Sequence, residues 1–441
     1  MEFINDKCKN MPRILVISCN CFHTQNNNGK TILQQFSSWP TDCLAQFYTY
    51  PEVPDNILCK NFYRITDIDV INYVLHKSKT CGMEIEVDLQ KNDNLIIQPK
   101  TKPHIFYSNI RNWNVCRLIR DIVWENAKWE NAGLKKWIYK FAPEAIYFLG
   151  LNNPYLFNLA NNIATELNIP IIIYATDDYY LPRITASPFF WIRYLILNRC
   201  MKRILKRPDC YLLTINETMS QIYKQRFNKS SDIFMNCVDI PLLDNLPEVQ
   251  NGKIVISYVG NLSHNRWKSI LYLIKTIENS NLHSLIKIDI YCGEHIPKKV
   301  SFKLSLIKLI SLKDKIKKEQ VMEVLKCSDV LLHVESFNYR DRMMTKLSFS
   351  TKLTEYIAAG RPILSFAPSS VASMQILEKY NAAICIDSKI KSKIIEKINI
   401  LTINSEREKI RKNAYNFLID IYTKYSMKNL LEIKYNELLR K

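Results

Sequence analysis

No stretch of 18 or more uncharged apolar residues occurs in the 441-residue chain, so no membrane-spanning helix is expected. The N-terminal stretch "MEFINDKCKNMPRILV" carries acidic residues early and no continuous apolar segment, so it is not expected to act as a signal peptide. Among 13 cysteines there is no CxxC pair, and most stand singly in apolar surroundings. That spacing argues against a disulfide framework or a zinc site and for buried, reduced thiols in a cytoplasmic protein. Glycine is scarce, at 8 residues, and one missing glycine is decisive. The strand-like "RILVIS" runs into "TQNNNGKTILQQF", where Gly29-Lys30-Thr31 imitates a phosphate-binding loop. Such a loop needs a glycine five residues before the Gly-Lys pair, and Thr24 stands there. With no apolar strand ending in Asp-Glu for magnesium either, a P-loop NTPase is disfavoured. Acidic residues are also short, 42 against 61 Lys and Arg, and the net charge of +19 asks for an anionic partner. Nucleic acid, an acidic membrane surface and a nucleotide phosphate all qualify.

Hydrophobic residues make up 47% and charged residues 23%, a globular balance, and the length favours two domains. Strand-like runs at 14–18, 45–49, 145–149, 169–175 and 210–215 alternate with helical segments. Between them, the region 60–143 contains Trp113, Trp124, Trp129 and Trp137, whose uneven spacing suits helices packed on a sheet. A Pro- and Asp-containing stretch at 236–253 interrupts the pattern. Alternation then resumes with strands at 253–260, 286–293, 329–335, 361–367 and 382–387, followed by charged helices. The expected organisation is an α/β N-terminal domain over 1–240, a linker over 241–253, a second α/β domain over 254–400, and C-terminal helices over 401–441 packing back on the first domain. A ligand belongs in the cleft between such domains, at the carboxyl ends of their strands.

Two segments of the second half carry candidate chemistry. In "ISYVGNLSHNRWKSILYLIKTIE" a strand ends at Gly260, and Arg266 and Lys268 stand where the loop meets a helix. Two cations at a helix N-terminus suit a diphosphate; two solvated basic residues on a turn is the plainer alternative. In "SFSTKLTEYIAAGRPILSF", Ser350 is placed to cap a helix ending at Gly360. Glu355, one turn into it, can accept from two ribose hydroxyls, with Lys352 a further donor-binding candidate beside it, or the two can form a surface ion pair.

These segments resemble the nucleotide-sugar half of a GT-B glycosyltransferase, most closely family 4 of those enzymes. The resemblance implies two Rossmann-like domains facing across a cleft, with the diphosphate of a nucleotide-sugar donor on Arg266 and Lys268 and its ribose on Glu355, ahead of Ala358-Ala359-Gly360-Arg361-Pro362. It implies that Gly260 and Gly29 let backbone approach the donor, and that anomeric configuration is retained. Where the family often has a second glutamate for the donor sugar this chain has Leu347; Glu335 is either its substitute or another loop residue. "IPIIIYATDDYYLPR" aligns with a family His-Asp pair near the acceptor, replaced here by Asp177-Asp178. Either carboxylate could orient an acceptor hydroxyl or stabilise charge on the sugar. The family generally works without metal, so no cofactor or metal is expected.

The segment 187–208 forms an amphipathic helix on paper, with Arg199, Lys202, Arg203 and Lys206 on one stripe and an aromatic start at Phe189, Phe190 and Trp191. It suits an anionic membrane surface, or simply covers the first domain's sheet. Together the features lead to a sugar transferase using a saccharide or lipid-linked saccharide acceptor in cell-surface polysaccharide synthesis, cytoplasmic or peripheral at the inner membrane face. A nucleic-acid-binding protein is the rival that charge suggests, but no Lys/Arg stripe with interleaved aromatics and no known module supports it, so nucleic acid is not an expected partner. A nucleotide-sugar epimerase is the rival of related architecture.

Overall fold

A computed structural model describes residues 11–24, 27–56, 58–86, 113–183, 187–235, 238, 240, 243, 252–293, 296–424 and 429–439. Most of the expected linker lies outside these residues.

The first sheet is built from β1 (Ile14–Ser18), β2 (Leu44–Tyr48), β3 (Asn61–Arg64), β4 (Met83–Ile85), β5 (Ala145–Phe148), β6 (Ile171–Ala175), β7 (Cys210–Thr214) and β8 (Asp232–Ile233). Its eight strands run in the order β4-β3-β2-β1-β5-β6-β7-β8, all parallel except β4. Helices α1 (Asn27–Gln35), α2 (Asp67–Val74), α3 (Asn114–Asn126), α4 (Ala132–Phe141), α5 (Pro154–Glu166), α6 (Pro188–Leu205) and α7 (Glu217–Phe227) make the crossovers. Strands such as "ILVIS" and "IIIYA" are buried at every position, as helices on both faces of a parallel sheet require.

The second sheet joins β9 (Ile254–Val259), β10 (Ile286–Tyr291), β11 (Ile310–Lys313), β12 (Val330–Val334), β13 (Ile363–Phe366) and β14 (Ile384–Ile386). Its order, β11-β10-β9-β12-β13-β14, is the 3-2-1-4-5-6 winding of a doubly wound Rossmann sheet. The connecting helices are α8 (Arg266–Glu278), α9 (Lys298–Ser305), α10 (Lys318–Lys326), α11 (Tyr339–Thr345), α12 (Thr351–Ala358), α13 (Ala372–Lys379) and α14 (Lys391–Ile400). On α8 the apolar residues Ile270, Leu273, Ile274 and Ile277 fall at helical spacing and are buried. Two more helices, α15 (Asn404–Lys424) and α16 (Leu430–Leu439), follow. α16 lies on the first domain: the Tyr435 hydroxyl donates to the Ile146 carbonyl at 3.3 Å, its ring meets Trp39 edge-on, and Lys434 pairs with Asp232 at 2.9 Å.

One apolar cluster runs from the first sheet into the second domain, taking in Leu347, Phe349, Leu353 and Phe417. Three sequence expectations change. Trp124, Trp129 and Trp137 are buried, but Trp113, just before α3, is 62% exposed. The Gly-Lys-Thr segment read as a loop is the first turn of α1. Ser350 precedes α12, but its side chain makes no capping bond.

Candidate functional site

Each sheet has a switch point, where strand order reverses and helices leave in opposite directions: between β1 and β5 in the first, between β9 and β12 in the second. Ligands in such sheets settle at the carboxyl ends flanking that point. The residues with unusual surroundings in this chain gather at both.

At the second switch point the chain leaves β9 through Gly260 and enters α8 at Arg266, after His264 and Asn265 take left-handed backbone conformations. Arg266 reaches back across the end of β12 and grips Glu335 with two guanidinium nitrogens, the closest contact 2.9 Å; a third donates to Asn261 at 2.9 Å. Glu335 is 5% exposed, so this fork is charge-assisted in a half-dry setting. Lys268, expected beside Arg266, is exposed and lies over the Trp267 ring instead. The expected convergence fails because residues two apart on a helix point to different faces. The second cation comes from α12. A Cβ built on Gly260 would sit 2.0 Å from the Lys352 ammonium, so the tip of that side chain lies directly against the glycine. Burial, and then the neighbouring Arg266, lower the Lys352 pKa to about 8. Arg266 and Lys352 therefore form the cationic pair beside Gly260.

Glu355 lies one turn further along α12. No Lys352–Glu355 ion pair is found; Glu355 binds Lys30, from α1 of the first domain. The cleft is thus bridged by a close ion pair between two residues that sequence reading treated separately. Gly29 itself is buried, and a Cβ there would lie 2.5 Å from the Cys21 carbonyl and 2.9 Å from His23 Cβ. Its bare Cα serves this packing of the β1–α1 connection, not an open approach from the cleft.

The adjacent carboxylates after β6 have different partners. Asp178 is 2% exposed and accepts from the Tyr180 and Leu181 amides at 3.1 and 3.2 Å and from the Tyr223 hydroxyl at 3.2 Å. Burial outweighs these bonds and raises its pKa. Asp177 accepts from the Ser348 hydroxyl of the second domain at 2.7 Å, so it is the carboxylate that reaches the cleft. Leu347, at the position of the absent family glutamate, is fully buried, and its carbonyl accepts from Asn216 at 2.7 Å. That residue anchors one domain to the other.

Sequence reading missed the cavity at the first switch point. A cavity of about 520 Å³ opens there, between residues following β1, β2, β5 and β6 and the helices α2 and α3. Arg117 and Arg120 of α3 line it, with Asp67, Asn153, Trp124 and Tyr179. Arg120 donates to Asn153 at 2.6 Å and to Asp121, which Arg193 of α6 holds from behind at 2.7 Å. The only signal in the sequence is the "RLIRD" spacing within a segment that otherwise reads as packing.

On α6, Leu197, Met201, Ile204 and Leu205 are buried, while Arg199, Lys202, Arg203 and Lys206 are exposed. Phe189, Trp191, Ile192 and Leu195 of its first half also face outward. Among the described residues no helix is long and apolar enough to cross a membrane, and no cluster of three His, Cys, Asp or Glu side chains suits a metal.

No family model and no curated relative matches the sequence. Solved structures do match it. The chain covers 55% of the TarM chain from S. aureus, over 67% of its own length, at 13% identity and a TM-score of 0.49. It aligns over 97% of its length, and 99% of the other chain, with the trehalose-6-phosphate synthase OtsA, at 10% identity and a TM-score of 0.58. The same coverage and identity hold for the E. coli protein bound with UDP-2-fluoro glucose, at a TM-score of 0.57. Two parallel-sheet domains at full-length correspondence, ending in helices, give this chain the fold of the GT-B glycosyltransferases.

Proposed function

We propose that the protein is a glycosyltransferase that moves a sugar from a nucleotide-sugar donor to a saccharide or lipid-linked saccharide acceptor. The observation that carries this reading is the pairing of Arg266 and Lys352 beside Gly260, with Glu355 one turn away at the second sheet's switch point. Two cations there match the two charges of a diphosphate, and a carboxylate at Glu355 matches a vicinal diol. Glu335 holds Arg266 in place. In the reaction the acceptor hydroxyl oxygen bonds to the anomeric carbon, the bond from that carbon to the diphosphate oxygen breaks with its electron pair, and the hydroxyl proton passes to the departing diphosphate. Arg266 and Lys352 stabilise the charge that collects on the departing diphosphate. Asp177 faces the other side of the cleft, where it orients the acceptor or stabilises positive charge on the sugar. The sequence resemblance extends this reading to family 4, retention of configuration and cell-surface polysaccharide synthesis, and the basic, aromatic pattern of α6 extends it to an anionic membrane surface.

A thermal-shift screen of UDP-, GDP- and other nucleotide sugars tests the donor site, because a ligand that binds the folded chain raises its melting temperature. A UDP-sugar is the first to try, given the UDP-2-fluoro glucose bound to one structural neighbour. Both the shift and transfer activity should disappear in Glu355→Ala and Arg266→Ala. Normal turnover in both variants would remove the assignment.

A further inference from the structure

The cavity at the first switch point has its charges already in use. Arg120 pairs with Asp121 and donates to Asn153, the Asp67 carboxylate accepts from the Trp124 indole N–H at 2.8 Å, and Arg117 has a partner of its own. What the lining leaves for a ligand is uncharged. One wall is apolar: Ile71 of α2, Ile119 and Val123 of α3, and Leu149 and Leu151 after β5. Ile119 and Val123 lie one turn apart and form one stripe, and Ile119 is 56% exposed although it lines the cavity. It therefore stands at the mouth. Outside the mouth the apolar surface continues: Ile68 stands one turn before Ile71 on α2, Ile122 one turn after Ile119 on α3, and each is 53% exposed. The Trp124–Asp67 bond ties these two helices together. At another edge, Thr176 and Tyr179 line the cavity and bracket Asp177 in sequence, so two hydroxyls adjoin the carboxylate that meets Ser348. A volume of about 520 Å³ is that of a small-molecule site. A ligand filling it meets hydroxyls beside Asp177 and an apolar wall that runs out to solvent.

We propose that this cavity takes the hydrocarbon chain of a lipid-linked acceptor with an uncharged sugar headgroup. The sugar lies at the edge lined by Thr176 and Tyr179, with its reacting hydroxyl toward Asp177. The chain runs along Ile71, Val123 and Ile119 and leaves past Ile68 and Ile122. Of the two acceptors open to the glycosyl-transfer reading, a free saccharide and a lipid-linked one, only the second uses this wall. The assignment of the ligand as an acceptor rests on that reading. It requires that the reaction supplying the acceptor attach a sugar to a lipid.

The test is calorimetric titration of the full chain with methyl, hexyl, octyl and decyl glucoside, each below its micelle concentration. Affinity should rise with chain length, by roughly three- to fourfold per methylene buried. That rise should disappear in Ile119→Glu, whose half-exposed position tolerates a charge, while cooperative melting and the binding of UDP persist. It should survive in Phe302→Glu, which puts the same charge on a similarly exposed apolar residue of the second domain. No gain in affinity along the series, read on the wild-type chain alone, would overturn the proposal. So would a chain-length dependence retained in Ile119→Glu, which would place the chain elsewhere, or one lost equally in Phe302→Glu, which would make it a general property of the surface. UDP binding without any chain-length dependence brings down the lipid assignment alone; a dependence lost only in Ile119→Glu, with no nucleotide-sugar binding, brings down the donor reading alone and leaves the apolar site standing.

Discussion

Asp177 and Asp178 are adjacent in sequence and opposite in surroundings, which makes them a direct test of role against environment. Asp178 satisfies two backbone amides and a buried tyrosine. Its replacement by Ala should cost about 2–3 kcal/mol in urea unfolding, through buried donors left unpaired. Asp177→Asn should cost under about 1 kcal/mol of stability and lower kcat by roughly a hundredfold or more. Equal stability losses in the two variants would contradict the division. Lys352 makes a second prediction. Its folded pKa of about 8 lies below the ordinary lysine value of 10.5, so the unfolded chain holds more protons between those values. The charged ammonium therefore costs stability below about pH 8, and that cost is recovered as pH rises to 10.5. Diphosphate binding needs the charged form. Donor affinity measured by calorimetry should fall by up to about tenfold per pH unit above pH 8, and this dependence should vanish in Lys352→Met.

At the scale of elements, helix α6 separates its work along its length. Its buried stripe covers the first sheet, and four exposed cations, Arg199, Lys202, Arg203 and Lys206, follow an outward-facing aromatic start. Replacing all four by Gln should abolish sedimentation with vesicles containing anionic lipid and leave the melting temperature within a few degrees of the wild type. Retained vesicle binding would mean that the helix only covers the sheet. The strands that sequence reading found are apolar runs, several of them sealed on both faces, as in β6 and β12. Those it missed carry a weaker apolar signal: β3 reads Asn-Phe-Tyr-Arg with polar ends, β4 has no buried residue, β8 has two residues, and β11 is half-buried along its length. The site divides the same way. Gly260, Arg266 and Glu355 are marked by strand-loop-helix grammar over a dozen neighbouring residues. The cavity instead draws Asn20, Asp67, Arg117 and Asn153 from four crossovers, so nothing local announces it. Lys268 misleads for a geometric reason, since α8 begins at Arg266 and turns Lys268 outward.

In the whole molecule, the Lys30–Glu355 pair sets the terms on which the two domains meet. A ribose bound to Glu355 must displace Lys30 or share the carboxylate with it. Lys30→Gln should therefore tighten nucleoside diphosphate binding a few-fold in calorimetry, and the difference should shrink in high salt as the ion pair is screened. Unchanged affinity would mean that the pair does not compete with the donor. The continuous core and the Leu347 anchor join the domains independently of that pair, so the variant should still melt in a single transition. The position of α16 has a consequence in time. Tyr435 covers Trp39 and the end of β5, yet it follows the entire second domain in the chain. At translation speeds of about 5–20 residues per second, roughly 200 residues separate β8 from its partner Lys434, a wait of about 10–40 s. For that interval the nascent first domain shows the ribosome and its chaperones an aromatic face that only its own distant tail can close.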